Sequence, residues 1–120
     1  MPKLLIVDDD PNLLRLYREE LEEEGYEVEV AAGAREAVEA FDRTSFDCVV
    51  LDVQLAEGNG LALLRRFLDL RTEVPVVLNT AYAFFKNDFS TWSAAAYVVK
   101  SSDLSELKAV VRGAIPPKAA

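Results

Sequence analysis

Asp47-Cys48-Val49-Val50-Leu51-Asp52 is an apolar run closed by a carboxylate, and its reading decides the fold. Such a short run, rich in β-branched residues, predicts a strand buried on both faces. The polar loop after it, Gln54-Leu55-Ala56-Glu57-Gly58-Asn59-Gly60, predicts that Asp52 lies at the strand tip. A carboxylate there does little for folding and is well placed for chemistry. The run Leu4-Leu5-Ile6-Val7 ends the same way, in Asp8, Asp9 and Asp10.

Working outward, apolar runs alternate with amphipathic stretches five times along the chain. Asp10-Pro11 predicts a helix start, with a capping acid and proline in the first turn. Leu14, Tyr17 and Leu21 follow at helical spacing, with Leu13 and Leu16 widening the stripe, and Gly25 marks the stop. Tyr26 to Val30 alternates with Glu27 and Glu29, as a half-exposed edge strand would. Ala34, Ala37, Val38 and Phe41 form a second helical stripe, and Leu61, Leu64 and Leu68 a third. Val74 to Leu78 predicts the fourth strand and Ala95 to Val99 the fifth. Between them, Phe84, Phe85, Phe89 and Trp92 suggest a short or irregular fourth helix. Asp103 with Glu106 resembles a capping box, ahead of Leu104, Leu107 and Val111.

This rhythm predicts an α/β fold, a doubly wound (βα)₅ unit around a five-stranded parallel sheet. The strand order 2-1-3-4-5 suits it, and ligands in such sheets bind beyond the carboxyl ends of the strands. The expected domain is residues 1–115, with 116–120 as a tail or the start of a linker.

Composition narrows the function. The 120 residues carry 13 basic and 21 acidic side chains, a net charge of −8, and no histidine. That balance argues against nucleic acid or an anionic membrane as a direct partner. The single cysteine, Cys48, excludes an internal disulfide and a cysteine-based zinc site, and reads as a small buried hydrophobe. No apolar run approaches the roughly 18 residues of a membrane span, and no secretory pattern opens the chain. A cytoplasmic location is expected.

The strand ends collect Asp8, Asp9, Asp52, Thr80 and Lys100. Each has an ordinary reading alone: a turn or capping acid, a capping hydroxyl, a solvated lysine. Asp10 takes the capping role, which leaves Asp8 and Asp9 unexplained by it. Clustered carboxylates repel and need a counter-charge or a proton. Mg²⁺ supplies that charge, typically through one or two carboxylates, phosphate oxygens and waters. An Asp in such a cluster can attack phosphorus, with the cation and a lysine neutralising the transferring group.

Ile6-Val7-Asp8-Asp9-Asp10, Val50-Leu51-Asp52, Asn79-Thr80-Ala81 and Tyr97-Val98-Val99-Lys100 together resemble the receiver domain of bacterial two-component response regulators. The resemblance spans about residues 3–115 and implies roles by position. Asp52 matches the phosphoacceptor. Asp9 and Asp8 match the acids that hold Mg²⁺, or Mn²⁺ in its place, with Asp52 and the Gln54 backbone carbonyl completing the protein's share. Lys100 matches the phosphate-pairing lysine, Thr80 the switch hydroxyl and Tyr97 the switch aromatic. Gln54 and Tyr82 match positions that tune loss of the phosphoryl group, and a bulky Tyr82 implies slow loss.

The resemblance also implies a sensor histidine kinase or phosphotransfer protein as donor, and an output domain or target protein as reader. The surface of the fourth helix, fifth strand and fifth helix would change and could support a homodimer. Such a domain promotes its own phosphotransfer and autodephosphorylation without being a conventional enzyme. Alternatives are a pseudo-receiver scaffold that takes no phosphate, a Mg²⁺-dependent phosphohydrolase, and a flavin-binding flavodoxin relative. Gln54 stands where the phosphohydrolase needs an acid, and Asp8-Asp9-Asp10 opposes a phosphate loop. Three departures from the family stand out. Leu55-Ala56 replaces a common Met-Pro pair, Ser101 replaces the proline that commonly follows the lysine, and the segment from Thr80 to Tyr97 is short and aromatic-rich. With Ser101, a trans bond after Lys100 is expected.

Overall fold

The computed structural model describes residues 1–55, 58–81 and 94–115, with only the backbone at 54, 55, 58 and 59. The readings on Tyr82, Phe84, Phe85, Phe89 and Trp92, on the fourth helix, and on residues 116–120 lie outside them.

Five strands form the parallel sheet: β1 (Lys3–Val7), β2 (Glu27–Ala31), β3 (Cys48–Leu51), β6 (Val76–Thr80) and β7 (Ala96–Val99). Their order, β2-β1-β3-β6-β7, is the expected 2-1-3-4-5 when the sheet strands alone are counted. β4 (Gln54–Leu55) and β5 (Gly58–Asn59) pair antiparallel as a small ribbon beyond β3. β2 lies at an edge, where Glu27 is exposed and discourages further pairing.

Two cores sandwich the sheet. On one face α1 (Pro11–Glu23) and α4 (Ser105–Ala114) bury Leu14, Tyr17, Leu21, Leu107 and Val111 against Leu4, Ile6, Val50, Val77 and Val98. On the other, α2 (Ala34–Arg43) and α3 (Gly60–Leu70) bury Ala37, Phe41, Leu63, Leu64 and Phe67 against Leu5, Val7, Val49, Leu51 and Leu78. Phe41 is the pivot of the second core, its ring centroid 4.6 Å from Phe67 and 6.4 Å from Phe46. α4 is the helix expected after the fifth strand.

The caps explain the helix starts. Asp10 accepts from the N–H groups of Asn12 and Leu13 at 2.9 and 3.4 Å, and Pro11 opens α1 where no donor is needed. Gly25, at φ 97°, reverses the chain after α1 in a conformation costly for other residues. Four local expectations need correction. Leu16 is 40% exposed, because it lies off the face that Leu14, Tyr17 and Leu21 turn to the sheet. In α3 the fully buried stripe is Leu63, Leu64 and Phe67, with Leu61 and Leu68 at its margin. The fourth strand starts at Val76 and runs through Thr80, so Thr80 belongs to the ladder: its carbonyl accepts from the Lys100 N–H at 2.7 Å. Asp103 accepts from the Ser105 N–H, but its own N–H donates to Ser101 Oγ, so Glu106 does not close a capping box.

Candidate functional site

Asp8, Asp9 and Asp52 meet beyond the carboxyl edge of β1 and β3. Pairing of Val7 with Leu51 brings the two strand ends level, and the Asp52 N–H donates to the Val7 carbonyl at 3.0 Å. One carboxylate oxygen from each of the three acids lies within 4.8 Å of the others. Asp8 and Asp52 are buried while Asp9 is exposed at the rim. Among the described residues this is the one cluster of three or more acids, cysteines or histidines able to hold a cation.

Lys100 reaches into the cluster from the end of β7. Its Nζ lies 2.7 Å from Asp8 Oδ2 and 2.8 Å from Asp52 Oδ2. Burial works against its charge, but the hydrogen bonds to Asp52 and Asp8 outweigh burial and raise its pKa. Burial raises the Asp8 carboxyl above its ordinary 3.8, against the opposing effects of Lys100 and the Asp10 N–H. The Asp10 N–H donates to Asp8 Oδ1 at 2.9 Å, which fixes the carboxylate and turns Oδ2 to Lys100. The peptide bond after Lys100 is trans, as expected with serine there.

Thr80 is completely buried, and its Oγ1 has no hydrogen-bond partner among the described residues. An unsatisfied buried hydroxyl costs about 1–3 kcal/mol, so it is suited to an acceptor that arrives later. Tyr97 is partly buried against the core under α2 and α3. The Gln54 backbone lies in β4, at the first ribbon position after Val53. Tyr82 lies outside the described residues.

Two features were not read as functional from the sequence. Gly60 appeared as a turn residue, yet a Cβ there would lie 2.5 Å from the carbonyl oxygens of both Asp52 and Val53. Its N–H donates to the Val53 carbonyl at 2.8 Å, so glycine lets α3 start against the backbone that carries Asp52. Asn79, 3% exposed after the apolar run Val76-Val77-Leu78, sets its side-chain amide beside the Tyr17 hydroxyl of α1. A lone amide inside an apolar run was the available signal.

The geometry can hold a divalent cation. The carboxylates are hard oxygen donors, two of them are buried, and they need a positive partner that Lys100 supplies only in part.

Comparison with known proteins agrees with this arrangement. Residues 4–112 match the family model described as the response regulator receiver domain. The transcriptional regulatory protein TrcR of Mycobacterium tuberculosis is 35% identical over 113 residues, covering 92% of this chain and 44% of TrcR. The regulatory protein AtoC of Escherichia coli is 32% identical, covering 94% of this chain and 25% of AtoC. The chain thus spans less than half the length of these relatives. The response regulator TrrA of Thermotoga maritima, solved in complex with Mg²⁺-BeF, superposes with a TM-score of 0.92 at 38% identity, covering 95% of this chain and 99% of TrrA. TrrA solved with the histidine kinase ThkA gives a TM-score of 0.91 at 37% identity, covering 97% and 100%. With the two-core sheet and the acid cluster at its edge, these matches establish that the chain belongs to the response regulator receiver domain family.

Proposed function

We propose that this domain is a phosphorylation-dependent signalling switch whose phosphoacceptor is Asp52. The observation that carries the reading is the buried Asp52 carboxylate, 2.8 Å from Lys100 and clustered with Asp8 and Asp9 at the carboxyl edge of the sheet. A carboxylate oxygen of Asp52 attacks the phosphorus of a phosphohistidine. The P–N bond breaks, and the imidazole leaves with its electron pair and takes up a proton. Lys100 neutralises charge on the transferring oxygens. Asp8, Asp9, Asp52 and the Gln54 carbonyl would hold Mg²⁺, or Mn²⁺, which supplies further neutralisation when bound.

Thr80 then donates its unpaired hydroxyl to a phosphoryl oxygen, and Tyr97 follows it. This biases two packings of one element by differential contact with the phosphoryl group. The surface read by a target is that of β7 and α4, and a homodimer through that face is one readout. The donor is a sensor histidine kinase or phosphotransfer protein. The TrrA relative, solved with Mg²⁺-BeF and with a histidine kinase, supports both halves of the reading. Whether the reader is an output domain or a separate protein is a matter for the whole protein, and Gln54 and Tyr82 are proposed to set the lifetime of the mark.

The test uses Mg²⁺ and acetyl phosphate with intact mass. Wild-type protein should gain one phosphoryl group, and Asp52→Ala none. An adduct that persists in Asp52→Ala would sink the assignment.

A further inference from the structure

Four residues near the site share one face of the sheet. Ile6, Val50, Val77 and Val98 all belong to the core under α1 and α4. Side chains two positions on return to the same face, which places Asp8, Asp52, Asn79 and Lys100 there. Ile6 pairs with Val50 and Val50 with Val77, so Asp8, Asp52 and Asn79 lie on one rung of β1, β3 and β6. Asn79 is thus the neighbour of Asp52 on the side away from Asp8.

Lys100 must cross that rung. It starts at the end of β7, yet its Nζ bonds Asp52 beyond β3 and Asp8 beyond β1. β6 lies between β7 and β3. Adjacent strands are spaced about 4.8 Å apart, so roughly 10 Å separates β7 from β3; the lysine stem, crossing β6, covers part of it, and the hydrogen bond and the Asp52 side chain cover the rest. The β6 residue on that face and at that level is Asn79, whose strand partner is Val98.

Asn79 is itself held. It is 3% exposed, and Tyr17, 2% exposed on α1, brings its hydroxyl close enough to the side-chain amide to interact with it. Burying an amide and a phenol is costly unless they satisfy each other. A valine or leucine would fill this strand position at lower cost, so the polar pair calls for another reason.

We propose that the Tyr17–Asn79 pair is a positioning device for Lys100: Asn79, locked by the Tyr17 hydroxyl, forms the floor that directs the lysine stem across β6 to Asp52. The inference rests on the phosphoacceptor reading of Asp52 and deepens it.

The experiment measures the rate of phosphorylation by acetyl phosphate, the affinity for beryllofluoride and the affinity for Mg²⁺. The variants are Tyr17→Phe, which removes only a hydroxyl, and Asn79→Val. Both should slow phosphorylation and weaken beryllofluoride binding about tenfold, as expected for a misplaced reacting group. Mg²⁺ affinity should not weaken, because the carboxylates remain and Lys100 competes with the ion. In a Lys100→Ala background Tyr17→Phe should have no further effect. Wild-type rates in both single variants would overturn the inference, as would equal losses with and without Lys100. Parallel loss of Mg²⁺ affinity would assign the pair a general structural role and overturn it too. Failure of the wild-type protein itself to take an adduct would overturn the phosphoacceptor reading, an outcome distinct from all of these.

Discussion

The two faces of the sheet carry different parts of the proposed switch. The face under α1 and α4 holds the charged row of Asp8, Asp52 and Lys100, with the Tyr17–Asn79 pair beside it. On the face under α2 and α3, Tyr97 packs against the apolar core, and alternation along β6 turns Thr80 the same way. One face would take the mark and the other would report it. They meet only at the strand ends, where Thr80 follows Asn79 directly. A sheet does this naturally, since successive residues point to opposite sides. Coupling across it then needs one group able to bridge at the tip, and the unpaired Thr80 hydroxyl is the candidate.

The sharpest way to break the comparison is to remove Lys100. Lys100→Met leaves Asp8 and Asp52 buried beside each other without their cation. Breaking a buried pair from one side costs about 3–5 kcal/mol, so urea unfolding without Mg²⁺ should show a loss of that order. Phosphorylation by acetyl phosphate should fall about a hundredfold. The pH dependence has a definite sign. A carboxyl whose folded pKa is raised binds a proton more tightly when native, so stability falls as pH rises from 3.8 through the folded value. The variant loses the lowering effect of Lys100 and widens that window. Acidification, like Mg²⁺, should therefore narrow the gap to wild type. A loss of the same size at every pH and Mg²⁺ concentration would mean that Lys100 acts through packing alone.

Gly60→Ala tests the junction that the faces share. The new Cβ would meet two backbone oxygens at 2.5 Å, which backbone cannot yield cheaply. Overpacking of this kind costs about 1–3 kcal/mol. Because the strained atoms belong to Asp52 and Val53, phosphorylation should slow along with the loss of stability. A variant with wild-type stability and rate would show that α3 can shift away from the β3 end without consequence.

Much of this was legible in the sequence because the information is local. Apolar runs of four or five residues ending in Asp or Lys mark strand tips, and five such runs separated by helical stripes leave few topologies. Asp10-Pro11 and Gly25 announce the ends of α1 by their own backbone chemistry. What escaped depends on partners distant in sequence. Thr80 looked like a residue after a strand because polarity alone suggested a boundary, and only the ladder bond to Lys100 shows otherwise. Asn79 carries no meaning until Tyr17 is seen beside it. Gly60 was read for its turn-forming habit, when the decisive fact is the carbonyl oxygens against it.

Thr80→Val separates marking from reporting more gently. The hydroxyl is buried without a hydrogen-bond partner among the described residues, so replacing it with a methyl should stabilise the unmodified domain by about 1 kcal/mol. Adduct formation at Asp52 should persist. The change in Trp92 fluorescence or in amide exchange along β7 that accompanies it should shrink. A variant that is less stable than wild type would mean the hydroxyl already serves the unmodified fold.

The smallest expected effect belongs to Cys48, on the marking face but remote from the chemistry. It is completely buried in β3, and burial pushes its thiol up to about 12 from an ordinary 9.0. A raised thiol pKa means the native state keeps its proton while the unfolded chain releases it. Its contribution to stability is therefore intact below pH 9 and declines between there and about 12. At pH 8 an aromatic disulfide reagent should label native protein only as fast as the chain unfolds, and Mg²⁺ with beryllofluoride should slow that labelling by stabilising the fold. Labelling faster than global unfolding would show that β3 opens locally at Cys48, its first residue. The strand that delivers Asp52 would then be a moving part of the switch, and the division between a fixed marking face and a mobile reporting face would fail.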